Sequence, residues 1–142
     1  MFKDNDPQAR VAMLSYLERK NIRAIENPNQ FDIDILDLDR GRAYELERRG
    51  KWKTGEYPYR MVNILERKIH LFQGEHEFNN YYVIFNFDCT NCIFISSTDI
   101  QPYLIPEDIY LEDCTLPDGT KRKDWVYKIP REVFTMVNVS NN

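Results

Sequence analysis

Long apolar runs are absent from this sequence. No stretch approaches the roughly 18 consecutive apolar residues of a membrane-spanning helix. The N-terminal residues MFKDNDPQAR also lack the apolar core that a secretory signal contains. We therefore expect a cytoplasmic protein that has no membrane partner.

Glycine and cysteine are scarce as well. The 5 glycines form no Gly-rich phosphate loop, which argues against the glycosyltransferase or phosphotransferase that the Asp32-x-Asp34 spacing would otherwise suggest. The 3 cysteines include a single C-x-x-C pair, Cys89 and Cys92, and one such pair does not make a zinc site. We interpret them, together with Cys114, as reduced thiols in a strand or turn.

The remaining composition is typical of a globular protein. The chain has 142 residues, of which 42% are hydrophobic and 13% aromatic, and this predicts a single domain over residues 1–142. The net charge is −4, but residues 40–70 contain nine basic and four acidic side chains, a local net charge of +5. A basic surface of this kind is suited to binding nucleic acid. The equally weighted alternative is a run of solvated charges with no binding role.

Acidic residues alternate with apolar ones in FDIDILDLDRGRAYELE, residues 31–47. Because successive side chains of a strand point to opposite faces, Asp32 and Asp34 share one face, and Glu45 and Glu47 share another. The run Asp37-Leu-Asp-Arg-Gly41 between them predicts a turn, so we expect the two strands to form a hairpin.

Three or four carboxylates would converge if the two acidic faces of this hairpin coincide. Such a cluster is costly without a cation, and carboxylate oxygens suit Mg²⁺ or Mn²⁺. The alternative is a sheet with one hydrated face, on which Arg42, Arg48 and Arg49 form cross-strand salt bridges with the acids.

The rest of the chain predicts one helix and several strands. Asp6 as N-cap and Pro7 as first residue indicate a helix over 7–19, with an apolar stripe of Val11, Leu14 and Leu17, to which Met13 is a further candidate. Further expectations are an exposed loop over 50–60, an extended segment over 61–72, a hairpin over 81–95, a turn at 117–119, and strands over 125–129 and 133–139. The expected class is α+β, with one N-terminal helix, a sheet of five to seven strands, and Trp125, Tyr127 and Phe134 in the core.

The pattern resembles the PD-(D/E)xK, or restriction-endonuclease-like, nuclease superfamily. The residues that carry the resemblance are Asp34 (or Asp32), followed after ten intervening residues by Glu45-Leu-Glu47. Trp52 and the pair Arg67-Lys68 resemble a phage or prokaryotic subset, in which an E-x-E strand precedes a Trp and then an Arg-Lys pair. The resemblance covers roughly residues 8–95.

This resemblance implies an αβββαβ core and Mg²⁺- or Mn²⁺-dependent hydrolysis of nucleic acid, with DNA as the expected substrate. Asp34 and Glu45 would hold the metal, with Asp32 and Glu18 as further candidates. The motif lysine is replaced by Glu47, which would act as a base or a second metal ligand. Lys68, or failing that Arg48, would supply the missing cation.

The basic residues near the acidic strand are the candidates for holding the nucleic-acid backbone. They are Arg48, Arg49, Lys51, Lys53 and Arg67. The alternative to an enzyme is a module of the same fold with a degraded site that binds nucleic acid or protein. Many members of the superfamily act as dimers, so a homodimer is compatible with either function.

Overall fold

The computed structural model describes residues 6–28, 33–72, 78–115 and 119–140. Helix α1 spans Pro7–Arg19, and a short helix, α2, spans Ser97–Ile100. The strands are β1 (Ala24–Glu26), β2 (Ile35–Asp37), β3 (Arg42–Arg48), β4 (Met61–Leu65), β5 (Asn79–Phe85), β6 (Asn91–Ser96), β7 (Ile109–Thr115), β8 (Lys121–Pro130) and β9 (Thr135–Asn138). The 3-10 helices span Glu66–Phe72, Gln101–Tyr103, Pro106–Asp108 and Arg131–Val133.

Helix α1 begins where the sequence predicts. The Asp6 side chain accepts a hydrogen bond from the Ala9 amide at 3.2 Å, and Pro7 occupies the first turn. Ala9, Met13 and Leu17 are buried, a spacing of four that keeps them on one side of the helix. The predicted stripe was therefore partly wrong, since Val11 lies on the outer side and is 64% exposed.

The strands form two sheets. One has six strands in the order β1-β2-β3-β5-β6-β9, in which β3 and β5 are parallel and the other neighbouring pairs are antiparallel. The other has three antiparallel strands in the order β4-β8-β7. Strand β4 and the 3-10 helix that follows it belong to the connection between the parallel strands β3 and β5.

The six-stranded sheet is covered on both faces. Helix α1 packs on one face, against a buried cluster that includes Tyr44, Leu46, Val83 and Phe85. The three-stranded sheet and the 3-10 helix Glu66–Phe72 pack on the other face; this second cluster includes Trp52, Val62, Ile64, Tyr82, Ile84, Tyr127 and Ile129. Alternate residues of β3 and β5 therefore face different cores, as the period of a strand requires.

This architecture confirms an α+β class with an N-terminal helix and a mixed sheet. The hairpins β2–β3 and β5–β6 are both present, and Gly41 takes the positive φ of 65° that the first turn needs. The predicted turn at 117–119 lies largely outside the described residues.

The larger sheet has six strands, within the expected five to seven, and the second sheet of three strands was not expected. Three other expectations were wrong. The loop over 50–60 is not exposed throughout, because Trp52 and Tyr57 are buried. Residues 61–72 end in a 3-10 helix instead of staying extended. Trp125 is 50% exposed because the β7–β8 hairpin carries it beyond the second core, whereas Tyr127 and Phe134 are buried as expected.

Candidate functional site

Glu45 and Glu47 project from β3 toward the second core. Tyr44 and Leu46, the residues that alternate with them, pack against α1 on the other face. Parallel pairing of β3 with β5 puts Glu45 opposite Tyr82 and Glu47 opposite Ile84. The shared face that the sequence predicts for the two glutamates is confirmed.

Lys68 lies directly beside Glu45. The 3-10 helix that carries it follows β4, and it brings Nζ of Lys68 to 3.4 Å from Oε2 of Glu45. Both residues are buried, with exposed fractions of 8% and 6%. Because a buried ammonium group needs a counter-charge, this position of Lys68 depends on the carboxylate of Glu45.

Glu47 is held by two partners. The Arg49 guanidinium donates to both of its carboxylate oxygens, at 2.9 and 3.2 Å, and the Tyr82 hydroxyl donates to Oε2. Burial raises the pKa of Glu47, but the positive charges of Arg49 and Lys68 outweigh burial and lower the pKa from 4.5 to about 2. Glu47 is therefore a fixed anion at neutral pH and a poor base.

Asp34 has a different environment, at the start of β2. Its Oδ2 accepts a hydrogen bond from the Leu46 amide at 2.9 Å. Its Oδ1 accepts one from the Arg10 guanidinium of α1, also at 2.9 Å. The carboxylate thus contacts strand β3 and helix α1, whereas Glu45 contacts Lys68 of the 3-10 helix. The convergence of the two acidic faces of the hairpin stays a prediction.

The remaining predicted metal ligands do not join these acids in the described structure. Asp32 lies outside the described residues. Glu18 is exposed near the end of α1, two helical turns or roughly 12 Å from the Arg10 that contacts Asp34. Over residues 6–28, 33–72, 78–115 and 119–140, no group of three or more His, Cys, Asp or Glu side chains is placed to hold a metal.

Asp34 and Glu45 are the two predicted metal ligands that remain candidates. The two residues lie on neighbouring strands, and Leu46, whose amide Asp34 binds, follows Glu45 directly. A carboxylate has about four lone-pair positions, so one hydrogen bond on each Asp34 oxygen leaves capacity for a cation. Mg²⁺ commonly uses one or two carboxylates and completes its shell with water and substrate phosphate.

The predicted nucleic-acid-binding residues fall into two groups. Arg48 and Arg49 are engaged within the protein: Arg48 pairs with Asp6 at 2.8 Å on the helix side, and Arg49 pairs with Glu47. Arg48 therefore faces away from Glu45 and was wrongly chosen as the second candidate for the missing cation. Lys51, Lys53 and Arg67 are exposed, although Arg67 lies 3.9 Å from Asp124 and Lys53 lies over the Phe87 ring.

The cysteines play no part in this arrangement. Cys89 and Cys92 are free thiols on the helix side of the six-stranded sheet. Burial raises the pKa of Cys89 to about 11 and that of Cys92 to about 12. Both thiols are therefore protonated and weakly nucleophilic at neutral pH. The side chain of Cys114 is not among those that the structure describes.

Two residues of the site gave no local signal in the sequence. Tyr82 resembles any other aromatic residue of an apolar strand, and its contact with Glu47 depends on the parallel register of β3 and β5. Arg10 resembles a solvated helix residue, and its contact with Asp34 depends on how α1 lies across the sheet.

No protein-family model matches the chain, and no curated protein matches it either. In the described parts of the chain, every helix is too short or too polar to cross a membrane.

Proposed function

We propose that this protein is a metal-dependent nuclease of restriction-endonuclease-like fold that hydrolyses phosphodiester bonds, with DNA as its substrate. The observation that carries the proposal is the position of Lys68, whose Nζ lies 3.4 Å from Glu45. Glu47 occupies the motif position that is usually a lysine and so supplies no cation there. Lys68, from outside the E-x-E strand, supplies a cation beside Glu45 instead.

The order of elements supports the same proposal. Helix α1 is followed by the antiparallel strands β1, β2 and β3, and then by β5, which is parallel to β3. An αβββαβ core has this order, with a second helix in the connection to the last strand. Here β4 and a 3-10 helix occupy that connection, and the 3-10 helix supplies Lys68.

The roles of the residues follow from their environments. Asp34 and Glu45 would hold Mg²⁺, which polarises the phosphate and lowers the pKa of a bound water. Lys68 stabilises the negative charge that develops on the phosphate oxygens during attack. Glu47 keeps Arg49 and Tyr82 in place, and its low pKa excludes it as the general base.

A second candidate function is a binding module of the same fold without catalysis. The ion pairs Arg10–Asp34 and Arg49–Glu47 favour it, because each satisfies a carboxylate within the protein. In this case nucleic acid would bind through exposed cations such as Lys51, Lys53 and Arg67.

Cleavage of DNA by a Glu45→Gln variant tests the proposal. We expect wild type to cut in the presence of Mg²⁺ or Mn²⁺ and to stop cutting when the metal is chelated. Glu45→Gln and Lys68→Met should each lower the cleavage rate by at least about 100-fold, since loss of one preorganised electrostatic group costs this much in other enzymes.

The matched controls are Glu56→Gln and Lys121→Met, which remove the same charges at exposed positions. Both should cleave like wild type, and thermal unfolding confirms that each variant is folded. A folded Glu45→Gln variant that cleaves normally would refute the nuclease. Binding of DNA by wild type without cleavage at any metal concentration would favour the binding module.

A further inference from the structure

A pocket lies on the helix side of the six-stranded sheet, away from Glu45 and Lys68. Its volume is about 330 Å³, and its walls come from the C-terminal half of α1, the sheet and strand β9. This volume is within the range of small-molecule sites. The pocket shares no lining residue with the proposed catalytic site.

The floor of the pocket is hydrocarbon. Leu17, Val83, Cys92 and Val139 line it and are buried. Met13, Ile22, Phe94 and Val137 complete the apolar lining. Tyr16 and Tyr44 also line the pocket, but the side chains of the floor itself offer no strong hydrogen-bond donor or acceptor. The polar edge of a nucleobase placed there would be desolvated without compensation.

The mouth of the pocket is cationic. Lys20, Arg40 and Arg42 line it, and no acidic side chain does. Arg40 is balanced by Asp37, with 2.7 Å between Nε and Oδ2, and it also donates to the Tyr44 hydroxyl at 3.0 Å. Within the described part of the chain, Arg42 and Lys20 pair with no carboxylate; each lies over a tyrosine ring, at 5.1 and 5.6 Å.

We propose that this pocket binds an amphipathic monoanion, with the hydrocarbon body of a medium-chain carboxylate against the floor and the carboxylate beside Arg42 and Lys20. The two parts of the ligand match the two parts of the pocket. The apolar floor buries the hydrocarbon chain, and the cations at the mouth form charge-assisted hydrogen bonds with the carboxylate. Arg42 lies over the Tyr81 ring, so less side-chain entropy is lost when it binds an anion. The proposal is independent of nuclease activity.

Titration with octanoate, followed by two-dimensional NMR of the ¹⁵N-labelled full chain, tests it. We expect the amide signals of Leu17, Val83 and Val139 to shift with octanoate, and 1-octanol to bind about tenfold more weakly because it lacks the charge. Thymidine monophosphate should shift these signals less than octanoate does, since its base is polar.

Two variants and one control complete the experiment. Arg42→Gln should weaken octanoate binding by about tenfold, and Val137→Phe, which fills the pocket, should abolish it. Arg122→Gln, which removes an exposed arginine on β8, should bind like wild type. The proposal is overturned if octanoate leaves the pocket signals unchanged, if octanol binds equally well, or if thymidine monophosphate binds more tightly.

Discussion

Glu47 shows how neighbouring charges decide the chemistry of one residue. Its carboxylate lies between the Arg49 guanidinium and the Tyr82 hydroxyl, and Arg49 also donates to the Asn63 carbonyl of β4. These contacts connect β3 and β5 of the large sheet with β4 of the small one. Glu47 thus contributes to the stability of the fold, while Glu45, two residues earlier, faces Lys68.

At the residue scale we predict that Glu47→Gln destabilises the protein in a pH-dependent way. Because the folded-state pKa of about 2 lies below the ordinary 4.5, the ionised group stabilises the fold above about pH 4.5. That contribution is lost as the pH falls from 4.5 through 2. Urea unfolding at pH 7 should show a loss of about 3 kcal/mol in the variant.

The same comparison at low pH provides the check. The difference in unfolding free energy between wild type and Glu47→Gln should shrink steadily from pH 5 to pH 2. Glu56→Gln changes an exposed residue and should have the same free energy of unfolding as wild type at every pH. A difference that stays constant down to pH 2 would contradict the assignment of the low pKa to Glu47.

At the scale of elements, α1 connects the fold to the site. Asp6 caps the first turn and also pairs with Arg48 of β3 at 2.8 Å, while Arg10, one turn later, holds Asp34. The helix therefore positions one of the two proposed metal ligands through a side chain that takes no part in the chemistry.

We predict that Asp6→Ala lowers the free energy of unfolding by about 1–2 kcal/mol, because the helix loses its N-cap. Asp6→Asn keeps a good capping acceptor and loses only the partly exposed ion pair with Arg48, so it should cost about 0.5 kcal/mol. Denaturant titration of the two variants measures the difference. Equal costs would show that the ion pair, and not the cap, is the stabilising interaction.

At the scale of the whole molecule, the six-stranded sheet lies between two hydrophobic cores and contributes residues to both. Leu17 is fully buried between α1 and the sheet, and Ile129 is fully buried between the two sheets. Strands β5 and β6 contribute alternate residues to each core, so neither core can be lost without disturbing the other.

We therefore predict a single cooperative unfolding transition that both cores share. Leu17→Ala and Ile129→Ala should each cost about 2–5 kcal/mol. In each variant, circular dichroism and tryptophan fluorescence, to which Trp52 and Trp125 both contribute, should give the same unfolding midpoint. Val11→Ala, on the exposed face of α1, should change the unfolding free energy by less than about 0.5 kcal/mol. Separate midpoints for the two probes would mean that the cores unfold independently.

The sequence by itself determined the features that depend on near neighbours. The bounds of α1 follow from Asp6 and Pro7, and the β2–β3 turn follows from a run that ends in Gly41. The shared face of Glu45 and Glu47 follows from the period of a strand. Lys68 was also identified as the candidate cation, although only through a resemblance to a family.

Only the tertiary structure decided which of these groups meet. Asp34 belongs to the same acidic pattern as Glu45, yet its cationic partner is Arg10 of α1, whereas that of Glu45 is Lys68 of the 3-10 helix. Arg48 and Arg49 are adjacent in sequence, but the strand sends one to Asp6 and the other to Glu47. Local preference is set within a few residues, whereas such contacts depend on strand register and layer packing, which are long-range interactions that no short segment encodes.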